Sequence, residues 1–161
     1  MDKLDQKQKP FKFIELDRRF RKLNLQENSE EAALESYTAS LIGLKTGLSW
    51  NDLLERPLVV VLGEPGSGKT WEFRERARIL RDRGEKAFFI PLDRMITESL
   101  SNILSEEEFK IFSLWQKNNE TATFFLDSVD EAKYRRTSDF MTALDRFRNA
   151  IGVAVQRKVD R

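Results

Sequence analysis

The sequence predicts an α/β fold, a parallel sheet flanked by helices behind a small, mainly helical N-terminal extension. Three observations predict it. The run Leu58-Val59-Val60-Val61-Leu62 has the composition of a buried parallel strand and leads directly into the glycine-rich stretch Gly63–Thr70. Behind the glycines, Trp71 to Arg83 carry a helical pattern. A second β-branched and aromatic run, Thr121-Ala122-Thr123-Phe124-Phe125-Leu126, then ends in acidic residues. Short apolar strands alternating with helical stretches give a parallel sheet.

The elements follow in order. Residues 1–10 are polar and end in Pro10, and Phe11 to Leu16 carry the partial alternation of an edge strand. Ser29 with acids behind it opens a helical pattern, Ala33-Leu34-Tyr37-Leu41, that ends near Gly43 or Gly47. Ser49 precedes a short helical turn, and Pro57 marks the entry to the core, so residues 1–56 form the extension and 57–161 the main domain. Core strands are expected at 58–62, 86–92 and 121–126. Helix 71–83 places Phe73, Ala77 and Leu80 on one stripe, with Arg74, Arg78 and Arg81 beside it as a solvated row paired to Glu75 and Asp82. Ser105-Glu106-Glu107-Glu108 is a capping-box start for a helix whose Phe109, Ile111, Phe112 and Trp115 face the core. A last helix reads from Asp139 through Leu144, Phe147 and Ile151 towards Val155.

Residues 63–70, Gly63-Glu64-Pro65-Gly66-Ser67-Gly68-Lys69-Thr70, complete the pattern G-x-x-x-x-G-K-[ST] between the first strand and the first core helix. That context makes the pattern a phosphate-binding loop and the fold that of a P-loop NTPase. The glycines remove side chains where backbone N–H groups must close on phosphate oxygens. The helix N-terminus, including Trp71, adds its unpaired N–H groups. Lys69 is expected to reach the β- and γ-phosphates, and the Thr70 hydroxyl to ligate Mg²⁺.

A carboxylate at the end of the third strand lies on the edge where open α/β sheets bind ligands. Asp127 is therefore the expected magnesium aspartate, since this hard ion takes few carboxylates and keeps several waters. Asp130 and Glu131 follow within a turn. They serve either as catalytic groups that orient or deprotonate an attacking water, or as first-turn acids that complement a helix dipole. Tyr134-Arg135-Arg136 read as a solvated loop.

Composition narrows the chemistry further. Within 161 residues, 40% apolar content supports one core and 34% charged residues a soluble protein. A net charge of +1 supplies no field for nucleic acid, although residues 1–25 are mildly basic. The chain has no cysteine and no histidine, which excludes disulfides, the usual zinc sites and cysteine or histidine catalysis. Carboxylates, lysines, arginines and hydroxyls remain, and they suit phosphoryl transfer. The polar N-terminus lacks a signal-peptide core, and no run approaches the ~20 apolar residues of a membrane span, so a cytoplasmic location is expected.

The second motif, Phe124-Phe125-Leu126-Asp127-Ser128-Val129-Asp130-Glu131, resembles the NACHT family of STAND-type NTPases, in which a small residue occupies the Ser128 position. Phe88-Phe89-Ile90-Pro91-Leu92 is similar to that family's second strand, and the resemblance covers roughly residues 57–150. It implies an ATP-binding signalling switch whose nucleotide state controls assembly, in bacteria including antiphage defence. It assigns Gly63 to Thr70 to the phosphate loop, Asp127 to Mg²⁺, and Asp130 with Glu131 to the extended acidic pair. No D-x-x-G follows the magnesium strand, and Arg157-Lys158-Val159-Asp160 lacks the asparagine of a guanine motif, which favours ATP over GTP. The family's sensor-arginine strand, winged helix and repeat array have no counterpart here. In P-loop ATPases of this kind a later strand lies between the two motif strands. Val159 would begin it just before Arg161, unless Phe11–Leu16 or Gly152–Val155 fills the gap. The chain is thus expected to be the N-terminal part of a nucleotide-binding domain, weak or inactive in hydrolysis alone and tending to self-associate or to depend on C-terminal domains. The alternatives are a non-catalytic nucleotide-binding module and a P-loop ATPase coupled to another task.

Overall fold

The computed structural model describes residues 18–22, 38, 47–118, 120–127 and 137–159, with the side chains of the last stretch from Ser138 to Gly152. The chain divides into two compact units, residues 1–61 and 62–161. The Phe11–Leu16 stretch lies outside the described residues, as does the Ser29 helix apart from a helical Thr38.

In the first unit, Phe20 and Leu48 form an antiparallel bridge with two backbone hydrogen bonds of 2.8 and 2.7 Å. Gly47 permits it. Its φ is 101°, and a Cβ there would lie 2.9 Å from the Phe20 carbonyl oxygen. Ser49 then caps α1 (Trp50–Leu54) through a reciprocal box with Asp52, and Trp50 packs edge-on against Phe20 at 4.9 Å. The serine in front of a short helical turn is where the sequence put it.

The second unit is built on two parallel strands, β1 (Ala87–Pro91) and β2 (Thr123–Asp127), in the register Ala87↔Thr123 to Pro91↔Asp127. A parallel pair needs a long crossover. Here it comprises a 3₁₀ turn (Arg94–Ile96), α3 (Leu100–Ile103) and α4 (Glu106–Lys117). Residue alternation gives the sheet two faces. One carries Phe88, Ile90, Phe124 and Leu126, which meet Phe112 and Trp115 of α4 and Phe147 of α5 (Thr137–Val159). Ring centroids there lie 5.2–5.5 Å apart for Trp115–Phe124, Phe124–Phe147 and Phe88–Phe112. The other face carries Phe89 and Phe125 and is covered by α2 (Lys69–Asp82). Phe73 of α2 lies 5.7 Å from Phe125, and the Arg74 guanidinium sits over Phe89 at 5.1 Å.

Caps and charges follow the sequence closely. The Ser105–Glu108 capping box forms, and Glu108 also pairs with Arg81 at 2.8 Å, tying α2 to the start of α4. Arg78 pairs with Glu75 and Asp82 as expected of a solvated row. Arg74 and Arg81 instead turn to the sheet, Arg81 donating to the Ala87 carbonyl at 2.9 Å.

Two expectations fail. The run 58–62 forms no strand, and Leu58, Val60 and Leu62 are 83%, 72% and 72% exposed. Strand propensity expresses fit to a paired, half-buried surface. Among the described residues the sheet stops at two strands, so the run has no ladder to join. Nor do Gly152–Val155 or Val159 supply strand residues, because α5 continues through all of them. The spacing of Phe140, Leu144, Phe147 and Ile151 keeps the helical face going, and one internal glycine costs only about 1 kcal/mol.

Candidate functional site

The residues expected to bind phosphate form two turns that only glycine accommodates well. The Ser67 N–H donates to the Glu64 carbonyl at 3.2 Å, closing a turn with Pro65 second and Gly66 third. Proline pre-sets the second position, and the positive φ of 77° at Gly66 makes this a type II turn. Gly68, at φ 84°, is the N-cap of α2. The helical ladder begins with the Glu72 N–H donating to the Gly68 carbonyl at 3.0 Å. The N–H groups of Lys69, Thr70 and Trp71 precede that bond and stand at the helix mouth. Gly63 to Gly66, Gly68, Thr70 and Trp71 are exposed, so the loop is open to a ligand.

Lys69 folds back over its own loop. Its Nζ donates to the carbonyl oxygens of Gly63 at 2.5 Å and Glu64 at 2.9 Å. An ammonium has three donors, so two anchor the cation above the loop and one remains. A Cβ at Gly63 would stand in ordinary contact, 3.6 Å from Lys69 Cδ and 3.4 Å from Ser67 Oγ, so space does not require glycine at that position.

Asp127 ends β2 and is only 7% exposed. Its alternation puts it on the α2 face with Phe125. Contacts along α2 fix the helix direction: Arg81 bonds to Ala87 at the start of β1, whereas Arg74 sits over Phe89 further along. The helix therefore runs antiparallel to the strands. From the Phe73–Phe125 contact, stepping back to Thr70 advances about 4.5 Å and stepping forward to Asp127 about 6.6 Å in the same direction. Lys69, Thr70 and Asp127 accordingly share the C-terminal edge of the sheet. The fit to a nucleotide with its cation can be tested on these residues. A loop with two left-handed glycines leaves its amides clear of Cβ atoms, a held ammonium supplies positive charge, and a hydroxyl and a carboxylate are hard oxygen donors for Mg²⁺.

Asp130 and Glu131 lie outside the described residues, as does Tyr134-Arg135-Arg136. Sequence reasoning passed over two features of this region. Glu72 and Arg76 form a buried ion pair of 3.2 Å on α2, one turn behind Thr70. Their i,i+4 spacing was the available signal. Asp93 lies two residues past the end of β1, at the N-cap of the 3₁₀ turn. Among the described residues no helix is long and apolar enough to cross a membrane. Comparison with protein-family models, curated proteins and solved structures finds no match to this chain.

Proposed function

We propose that this chain carries the Mg²⁺·ATP-binding part of a P-loop NTPase of the NACHT kind, a cytoplasmic switch whose nucleotide state governs its assembly. Antiphage defence is the biological setting that the resemblance implies. The observation that supports this reading best is the Lys69 ammonium, pinned over its glycine loop at a helix mouth that shares a sheet edge with Asp127.

Each residue has a physical role in that reading. Backbone N–H groups of Gly66 and of Gly68 to Trp71 surround the β- and γ-phosphates, and the remaining N–H of Lys69 neutralises their charge. Thr70 and Asp127 hold the cation, directly or through water. Mg²⁺, when bound, offsets charge that builds on the phosphate oxygens. Asp130 or Glu131 takes the proton of a water attacking the γ-phosphorus while the bond to the β–γ bridging oxygen breaks, giving ADP and phosphate. The exposed apolar side chains of Leu58, Val60 and Leu62 support a further partner, a second copy or a C-terminal domain, that completes the sheet.

Light scattering on the chain with ATP, with ADP and without nucleotide tests the switch. The expected outcome is a change of mass between the ATP and ADP states. Equal mass in all three, with ATP bound, would favour a non-catalytic nucleotide module instead.

A further inference from the structure

We propose that the indole of Trp71 stacks on the nucleobase of the bound nucleotide, so that one side chain of α2 holds the end of the ligand beyond the reach of the glycine loop. This rests on the Mg²⁺·ATP reading, in which Trp71 otherwise enters only through its backbone N–H. Trp71 follows Thr70 in the first turn of α2, whose N-cap is Gly68. The contact of Phe73 with Phe125 at 5.7 Å marks the side of the helix that faces the sheet. Two positions back along an α-helix is a rotation of roughly 200°, so Trp71 stands on the side away from the sheet. Helical side chains lean towards the N-terminus and cover the turn before their own Cα. For Trp71 that turn is the end of the glycine loop with Lys69 and Thr70.

Packing does not account for this ring. The other two tryptophans, Trp50 and Trp115, are buried, the first against Phe20 and the second against Phe88, Phe112 and Phe124. Trp71 is 45% exposed. Among the described residues it is the only exposed aromatic side chain, and it makes no hydrogen bond or ring contact there. An aromatic ring of this size ordinarily buries about 150–250 Å². A nucleotide with its β- and γ-phosphates at Lys69 extends its ribose and base out of the loop. Every base has a π-face, and aromatic side chains hold bases by stacking on it. The arginines nearby are already engaged, Arg74 over Phe89 and Arg78 with Glu75 and Asp82. The indole is the flat surface left beside the loop.

The test titrates Mg²⁺·ATP and Mg²⁺·tripolyphosphate into the 161-residue chain and into its Trp71→Ala and Trp71→Phe variants, and melts each protein without ligand. Trp71→Ala is expected to lose about tenfold or more in affinity for ATP and none for tripolyphosphate, which has no base. Trp71→Phe, which keeps a ring, is expected to recover most of the loss. The melting temperature is expected to stay the same or rise, because an exposed side chain gives way to a better helix former. Unchanged ATP affinity in Trp71→Ala overturns the stacking role and leaves the glycine loop's role standing. An equal loss for ATP and tripolyphosphate also overturns it, as a ring that only shapes the loop would weaken both. If the unsubstituted chain does not bind ATP, the Mg²⁺·ATP reading itself fails and the stacking role with it.

Discussion

Gly66 shows how much of the site depends on one missing carbon. Nothing lies within 4 Å of where its Cβ would stand, so space does not require glycine there. The φ of 77° does. An L-residue in that conformation costs roughly 1–2 kcal/mol, less for asparagine, whose short polar side chain bonds locally. Gly66→Ala should therefore lower stability by about that amount and weaken nucleotide binding, while Gly66→Asn recovers part of both. Thermal unfolding and ATP titration of the two variants check this, and equal losses would mean that the turn is not held as described. Asp52 illustrates a different residue-scale effect. Its bonds with the Ser49 hydroxyl and backbone hold its carboxyl below the ordinary 3.8. The contribution of that cap is complete above 3.8 and is lost as pH falls through the lower folded value.

At the scale of elements, α2 joins the glycine loop to the sheet and carries a buried charge pair. Glu72 and Arg76 are both buried, and removing one partner leaves the other charge without that partner inside the fold. Arg76→Ala should cost about 3–5 kcal/mol. Replacing both residues by apolar ones of similar volume should recover most of it. Denaturant unfolding of the single and double variants measures the difference, and additive losses would show that the pair acts as two independent groups. The elements that were legible in the sequence have local causes. The Ser49 turn, the Ser105 box and helix α4 are set by side chains within four residues of one another. Phe88–Ile90 and Phe124–Leu126 could be read as strands because both flank a face that the α4 aromatics cover. The run 58–62 could not be settled locally, since the same five apolar residues make a strand only where a neighbour offers its ladder. For α5, the sequence carried the helix towards Val155 and opened a strand at Val159, but the helix runs on through Val159.

At the scale of the molecule, the second unit arranges its chemistry by direction. The strands run one way and α2 the other, so Lys69 and Thr70 at the start of a helix and Asp127 at the end of a strand reach one edge across 57 positions of sequence. The two motifs and the edge rule were enough to name these residues. Glu72 and Arg76 were missed because an i,i+4 charge pair on a helix is ordinarily a solvated one, and only its burial distinguishes this pair. Lys69 and its loop are proposed to bind the phosphates of ATP. Calorimetric titration of Mg²⁺·ATP into the unsubstituted chain and into Lys69→Ala tests it most directly. Losing the pinned ammonium should weaken binding by at least tenfold, on the order of 1.4 kcal/mol or more. Equal affinities in the two proteins would contradict the assignment of the phosphate loop.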